Sequence, residues 1–206
     1  WLRVRNCPWD AKTFARAVLS RNKTLIRWLF DNNCPWDEST CSNFASINDL
    51  ESLKWARREG CPWNSWVCMD AARVGNLEML KWARSEGCPL DSSTCTYAAM
   101  FNFVDVFVWA LENGFQCDYK KCSGYALTFL CFDVLIWILK NKKRIEDSEH
   151  LNNVNETQDI HNHVISYLEH KRIYTNYTNL KIILNIIYVN NTEILDNTKI
   201  LYKNEH

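Results

Sequence analysis

The sequence predicts an all-α chain built from repeated helix pairs, on three observations. A short motif returns at a constant step. Cys7-Pro8-Trp9-Asp10 is followed by Cys34-Pro35-Trp36-Asp37, Cys61-Pro62-Trp63-Asn64 and Cys88-Pro89-Leu90-Asp91, each 27 residues on (7, 34, 61, 88), with a worn copy at Phe115-Gln116-Cys117-Asp118. Three other columns keep the same step: Cys41, Cys68, Cys95 and Cys122; Ala45, Ala72, Ala99 and Ala126; and Trp28, Trp55, Trp82 and Trp109, continued by Trp137 after a one-residue insertion. Between the motifs, apolar residues such as Leu77, Leu80 and Trp82-Ala83 recur at helical rather than strand spacing.

Each unit reads as two helices. Asp10, Asp37, Asn64, Asp91 and Asp118 stand where an N-cap belongs, because a short carboxylate or amide accepts from the free N–H groups of a first turn. Helix A then runs about ten residues, Ser65 to Arg73 in the third unit, and turns at Gly75-Asn76, or at Asn102 in the fourth. Helix B runs from about Leu77 to Glu86. Gly60, Gly87 and Gly114 end it in left-handed C-cap positions, and Pro62 and Pro89 stop any continuation. Trp1 and Leu2 match Trp28 and Leu29 one step earlier, so residues 1–143 read as a truncated half-unit followed by five helix pairs.

Composition changes after Ile145, and 144–206 reads as an Asn- and Ile-rich tail. Glu156 to Arg172 has helical spacing at Ile160, Val164, Tyr167 and Leu168. Leu180, Ile183, Leu184 and Ile187 are also spaced for a helix, although the Ile and Val content keeps strand open. The tail is either a cap on the last unit or a loose extension.

The segment Ala71-Ala72-Arg73-Val74-Gly75-Asn76-Leu77-Glu78-Met79-Leu80-Lys81-Trp82 resembles the ankyrin pattern of two alanines, a Gly-containing turn, Leu-Glu and an apolar second helix. Gly87-Cys88-Pro89 resembles an ankyrin helix end. The resemblance covers about residues 1–143. It departs at the opening of helix A, where Thr40-Cys41 or Thr94-Cys95 replaces Thr-Pro-Leu-His, and the unit is about six residues short of the usual one. The shortfall lies where ankyrin units carry their hairpin finger. The resemblance thus implies an ankyrin-like helix-turn-helix solenoid with shortened or absent β-hairpin fingers. In style the short Cys-Pro-Trp-Asp unit is similar to arrays of giant DNA viruses, protists and algae.

Ten Trp and ten Cys are high counts for 206 residues. Nine of the ten Trp lie in register and are expected in the core and between units, since an aromatic that recurs with an apolar stripe is normally buried. Same-column cysteines should sit one interhelix distance apart, about 8–10 Å, too far for a disulfide. There is no C-x-x-C pair, and no His within the repeats to complete a metal site or activate a thiol. Small buried apolar residues are therefore expected, in a reducing compartment, cytoplasmic or nuclear, of a host cell if the source is viral. The four N-x-S/T sequons, at Asn22, Asn155, Asn176 and Asn190, read as chance in an Asn-rich intracellular chain.

Scaffold positions must repeat and surface positions can vary. The varying positions of helix A are Ala11-Lys12, Glu38-Ser39, Ser65-Trp66, Ser92-Ser93 and Tyr119-Lys120, then, one turn later, Ala15-Arg16, Ser42-Asn43, Met69-Asp70, Thr96-Tyr97 and Ser123-Gly124. In ankyrin-like arrays this face is concave. Trp66, Tyr97 and Tyr119 are the candidate anchors for a protein partner, with Lys12, Arg16, Glu38, Asn43, Asp70 and Lys120 around them.

The expected function is a protein-interaction scaffold or adaptor, and a monomer. The alternative is the substrate-recognition part of an F-box-type ubiquitin-ligase receptor, whose motif is absent from these residues. No phosphate loop, paired catalytic groups or metal motif occurs, so neither an enzyme nor a cofactor is expected. Zero net charge gives no general attraction to nucleic acid or membrane, and no apolar stretch of about 18 residues is long enough to span one. The basic residues of the first units, Arg3 to Arg27, read as a solvated face. Lys140 to Arg144 reads as a helix-end complement rather than an import signal, and His161, His163 and His170 lack a metal-ligand register.

Overall fold

A computed structural model describes residues 9–141. The half-unit at residues 1–6, the tail at 144–206 and the histidines His161, His163 and His170 lie outside the described residues. Ten helices and no strand occupy residues 9–141. In order they are α1 (Ala11–Leu19), α2 (Lys23–Asp31), α3 (Glu38–Ser46), α4 (Leu50–Arg58), α5 (Trp66–Arg73), α6 (Leu77–Ser85), α7 (Ser93–Met100), α8 (Val104–Glu112), α9 (Tyr119–Thr128) and α10 (Phe132–Lys140). The odd-numbered members are the expected A helices and the even-numbered ones the B helices. The chain divides into two compact units, Trp1–Cys117 with α1 to α8 and Asp118–His206 with α9 and α10.

The caps explain the boundaries. The carboxylates of Asp10, Asp37 and Asp118 accept from the N–H groups of Thr13, Ser39 and Lys121. In α5 and α7 the helix begins one residue later than expected: Asn64 and Asp91 accept from Trp66 and Ser93 at 3.0 and 2.6 Å, and Ser65 and Ser92 take the cap position. The B helices have caps of their own, since Asn22, Asp49 and Asn76 accept from Leu25, Ser52 and Met79.

Both helices of a pair end in a left-handed residue. One column is Arg21, Asn48, Gly75, Asn102 and Leu130, and the other is Asn33, Gly60, Gly87 and Gly114. The next N–H reaches back five residues, as from Cys61 to Ala56 and Cys88 to Ala83, both at 2.9 Å. This is a Schellman closure. Gly75 has a second reason to lack a side chain: a Cβ there would lie 2.4 Å from the Phe103 ring. Phe103 stands where other units carry a capping Asn or Asp, and it makes no cap hydrogen bond.

In the first unit α1 packs on α3, α3 on α5 and α5 on α7, while each A helix packs on its own B helix. The A helices carry fully buried small residues, Cys41, Ala45, Cys68, Ala72, Cys95 and Ala99. Small contact residues let helix axes approach closely. Phe44, Leu53, Val67, Met79 and Leu80 fill the space toward the B helices. In the second unit Leu127, Phe132, Leu135 and Leu139 form a core with Tyr119 packed against it.

The tryptophans correct the sequence expectation of burial. Among the described in-register residues, Trp28 is 46% exposed and the others are half-buried. Each loop indole meets the B-helix indole of its own unit edge-on: Trp9 with Trp28, Trp36 with Trp55 and Trp63 with Trp82, at centroid distances of 5.7, 5.8 and 5.6 Å. Trp36 also reaches back to Phe14 and Phe30 of the preceding helix pair. The Arg57 guanidinium lies 4.2 Å over Trp63, a cation–π contact. The physical reason is volume. An indole is far larger than the fully buried Cys and Ala side chains, and the indoles pack edge-on against one another nearer the surface.

No disulfide joins the nine described cysteines, and all but Cys117 are buried, as expected for small apolar residues. The loop thiols also tie helix pairs together. Cys34, Cys61 and Cys88 donate to the carbonyls of Asp10, Asp37 and Asn64, at 3.8, 3.4 and 3.3 Å. A hydrogen bond shared with Cys41, together with burial, pushes the Cys61 thiol well above its ordinary range. The same causes, with Cys88 as partner, act on Cys68.

Candidate functional site

The exposed part of the A-helix face is narrower than the varying positions suggest. Lys12, Arg16, Glu38 and Trp66 are exposed. Trp66 opens α5 and is held there by the Asn64 turn. It is 50% exposed, and its column neighbours Ser39 and Ser93 are small.

Two candidate residues are not free surface, which corrects the reading of them as such. Asp70 is buried, with both carboxylate oxygens engaged: Oδ2 accepts from the Ser42 hydroxyl at 2.6 Å, and Oδ1 takes Nε and Nη2 of Arg73, each at 3.0 Å. Asn43 is half-buried and donates through Nδ2 to the Ala15 carbonyl of α1 at 2.9 Å. Ala15 and Ser42 are themselves buried. Variation between copies marks two kinds of position here. Some are solvent-facing, and others differ because each helix is fitted to its particular neighbour.

Tyr97 is half-buried and lies parallel to Phe101, with centroids 6.5 Å apart and planes 8° from parallel. Phe101, which the sequence reading passed over, is 45% exposed. Its signal was available: it stands one turn after Tyr97, at the spacing that brings two side chains together on a helix. Tyr119 and Lys120 open α9 in the second unit. Lys120 is exposed, whereas Tyr119 packs on the core of that unit and is half-buried. There too a stacked pair recurs, Tyr125 with Phe129, at 6.5 Å.

No protein-family model matches the chain, and no curated protein matches it. The functional reading therefore rests on the residues. The first unit holds an exposed indole, a stacked Tyr–Phe pair and the cations Lys12 and Arg16, on helices fixed by buried small residues. Among the described residues no group of three or more His, Cys, Asp or Glu side chains is placed to hold a metal ion, and no helix is long and apolar enough to cross a membrane.

Proposed function

We propose that this chain is an ankyrin-like interaction scaffold that binds a protein partner through the exposed A-helix face, without turnover and without a cofactor. The observation that carries the reading is the exposure of Trp66 on a helix whose inward side is fully packed. A large aromatic held out to solvent by a rigid element loses little conformational freedom on binding, which is why such residues dominate interface energetics. The 27-residue motif and the Ala-Ala…Gly-Asn-Leu-Glu pattern support the ankyrin-like assignment. The Tyr97–Phe101 stack and the exposed cations Lys12 and Arg16 supply further contact chemistry.

The test is affinity capture from the native host with the parent chain and with a Trp66→Ala/Tyr97→Ala variant, both checked for the same helicity and thermal midpoint. The expected result is loss of specific partners. For a purified partner, Trp66→Ala alone should weaken binding by at least about 2 kcal/mol, the scale of an anchor residue. Recovery of the same partners by the folded double variant removes this face from the function.

A further inference from the structure

Two different columns of the repeat bring thiols together. The A-helix cysteines Cys41 and Cys68 stand 20 residues before the loop cysteines Cys61 and Cys88, and all four are fully buried. The Cys41 Sγ lies 4.0 Å from the Cys61 carbonyl oxygen. The Cys61 Sγ lies 3.4 Å from the carbonyl of Asp37, which caps the helix that carries Cys41, and the two thiols share a hydrogen bond. One step on, the Cys88 Sγ lies 3.3 Å from the Asn64 carbonyl ahead of α5 and shares a hydrogen bond with Cys68.

Packing alone does not call for a thiol at both positions. The same two columns hold Phe14 with Cys34 in the first unit and Cys95 with Phe115 in the fourth, and these residues too are buried. The interior therefore accepts a much larger apolar side chain in either column. Cations stand beside the units in which both positions are Cys. The Arg57 guanidinium donates to the Cys61 carbonyl, and Arg84 occupies the same column ahead of Cys88. The hydrogen bond from Cys68, aided by Arg57 and Arg84, holds the Cys88 thiol below its ordinary value in spite of burial, while Cys68 is pushed up. One member of that pair is thus the better nucleophile, and the other is placed to resolve it.

We propose that Cys41–Cys61 and Cys68–Cys88 are oxidation sites, at which hydrogen peroxide converts each dithiol to a disulfide within the folded chain. Hydrogen peroxide is little larger than water, so access needs only local opening of a loop. The attacking thiolate takes one oxygen as the O–O bond breaks, which gives a sulfenic acid and, after protonation, water. The partner thiol then attacks that sulfur. The S–S bond forms, the S–O bond breaks, and the hydroxide leaves with the partner's proton as a second water. Each bridge joins an A helix to the loop that enters the next helix pair, α3 to the loop before α5 and α5 to the loop before α7, and so locks successive pairs together.

The test treats the full chain with hydrogen peroxide well below its thermal midpoint. Remaining thiols are alkylated after unfolding, and linked peptides are mapped by mass spectrometry without reduction. The expected links are Cys41–Cys61 and Cys68–Cys88, each with the loss of two hydrogens. The thermal midpoint should rise by several degrees and return to its starting value on reduction. Cys95 is as deeply buried but has Phe115 in the matching column, and it should be recovered as an alkylated thiol. Cys68→Ala should remove its own link and leave Cys41–Cys61 intact. Recovery of all four cysteines as alkylated thiols, while Cys117 is oxidised, overturns the proposal. Links that include Cys95 as often as Cys61 or Cys88 also overturn it, because such scrambling marks reaction of the unfolded chain.

Discussion

Thr40, Val67 and Thr94 occupy one column of the A helices, and all three are fully buried. The hydroxyls of Thr40 and Thr94 have no hydrogen-bond partner, while Val67 shows the same site filled by the apolar isostere. An unpaired buried hydroxyl costs about 1–3 kcal/mol. Thr40→Val and Thr94→Val should each stabilise the chain by about 1 kcal/mol, read as a higher denaturant midpoint with an unchanged slope. The two gains should add, because the sites lie on different helices, α3 and α7, with α5 packed on each. At this scale the sequence is legible only in part. The burial of Cys and Ala follows from their recurrence at one step. The burial of Asp70 does not, because it depends on Ser42, 28 residues earlier, and on Arg73, neither of which is marked by the repeat. The tryptophans recur as faithfully as the alanines but lie at the rim, since recurrence reports a shared environment and residue volume decides how deep that environment can be.

At the scale of the element, helix ends are the most legible feature, because Asp, Asn and Gly act through local backbone chemistry. Two of them yield tests. Gly60 and Gly75 are both left-handed, at φ 85° and 72°, but only Gly75 lies under a ring. Gly60→Ala should cost about 1 kcal/mol for the left-handed backbone. Gly75→Ala should cost at least about 1 kcal/mol more, as the Phe103 ring is displaced. That excess should shrink in a Phe103→Ala background, measured as a double-mutant cycle by urea unfolding. Asp91 provides a pH test. The Ser93 hydroxyl and backbone N–H hold its carboxyl below the ordinary value of 3.8. A depressed folded value means that the charged cap stabilises the chain above that pH and that the contribution is lost as pH falls through the folded value. Asp91→Asn should therefore lower the urea midpoint at neutral pH. The difference from the parent should close in strong acid, and a gap constant across pH would show that the charge contributes nothing. The B-helix caps Asn22 and Asp49 were equally readable, since they lie two and one repeat steps before Asn76.

Across the whole molecule, thiol accessibility gives the broadest check. Cys117 is half-buried, whereas the other described cysteines are buried. Under native conditions a thiol reagent should modify Cys117 well ahead of Cys34, Cys41, Cys61, Cys68, Cys88, Cys95, Cys122 and Cys131, as mapped by peptide mass spectrometry. Rapid modification of Cys61 or Cys88 would show that the loop thiols are not locked against the preceding pair. The connections between helix pairs have a further consequence for recognition. Residues 32–37, 59–65, 86–92 and 113–118 contain no strand, and the N–H groups that follow each left-handed residue are already spent on closing the helix behind them. The described loops therefore present no strand edge for a partner to extend. On the proposed function, a partner would be selected by the shape and charge it shows to an indole, a stacked Tyr–Phe pair and exposed cations rather than by the backbone conformation of its own chain.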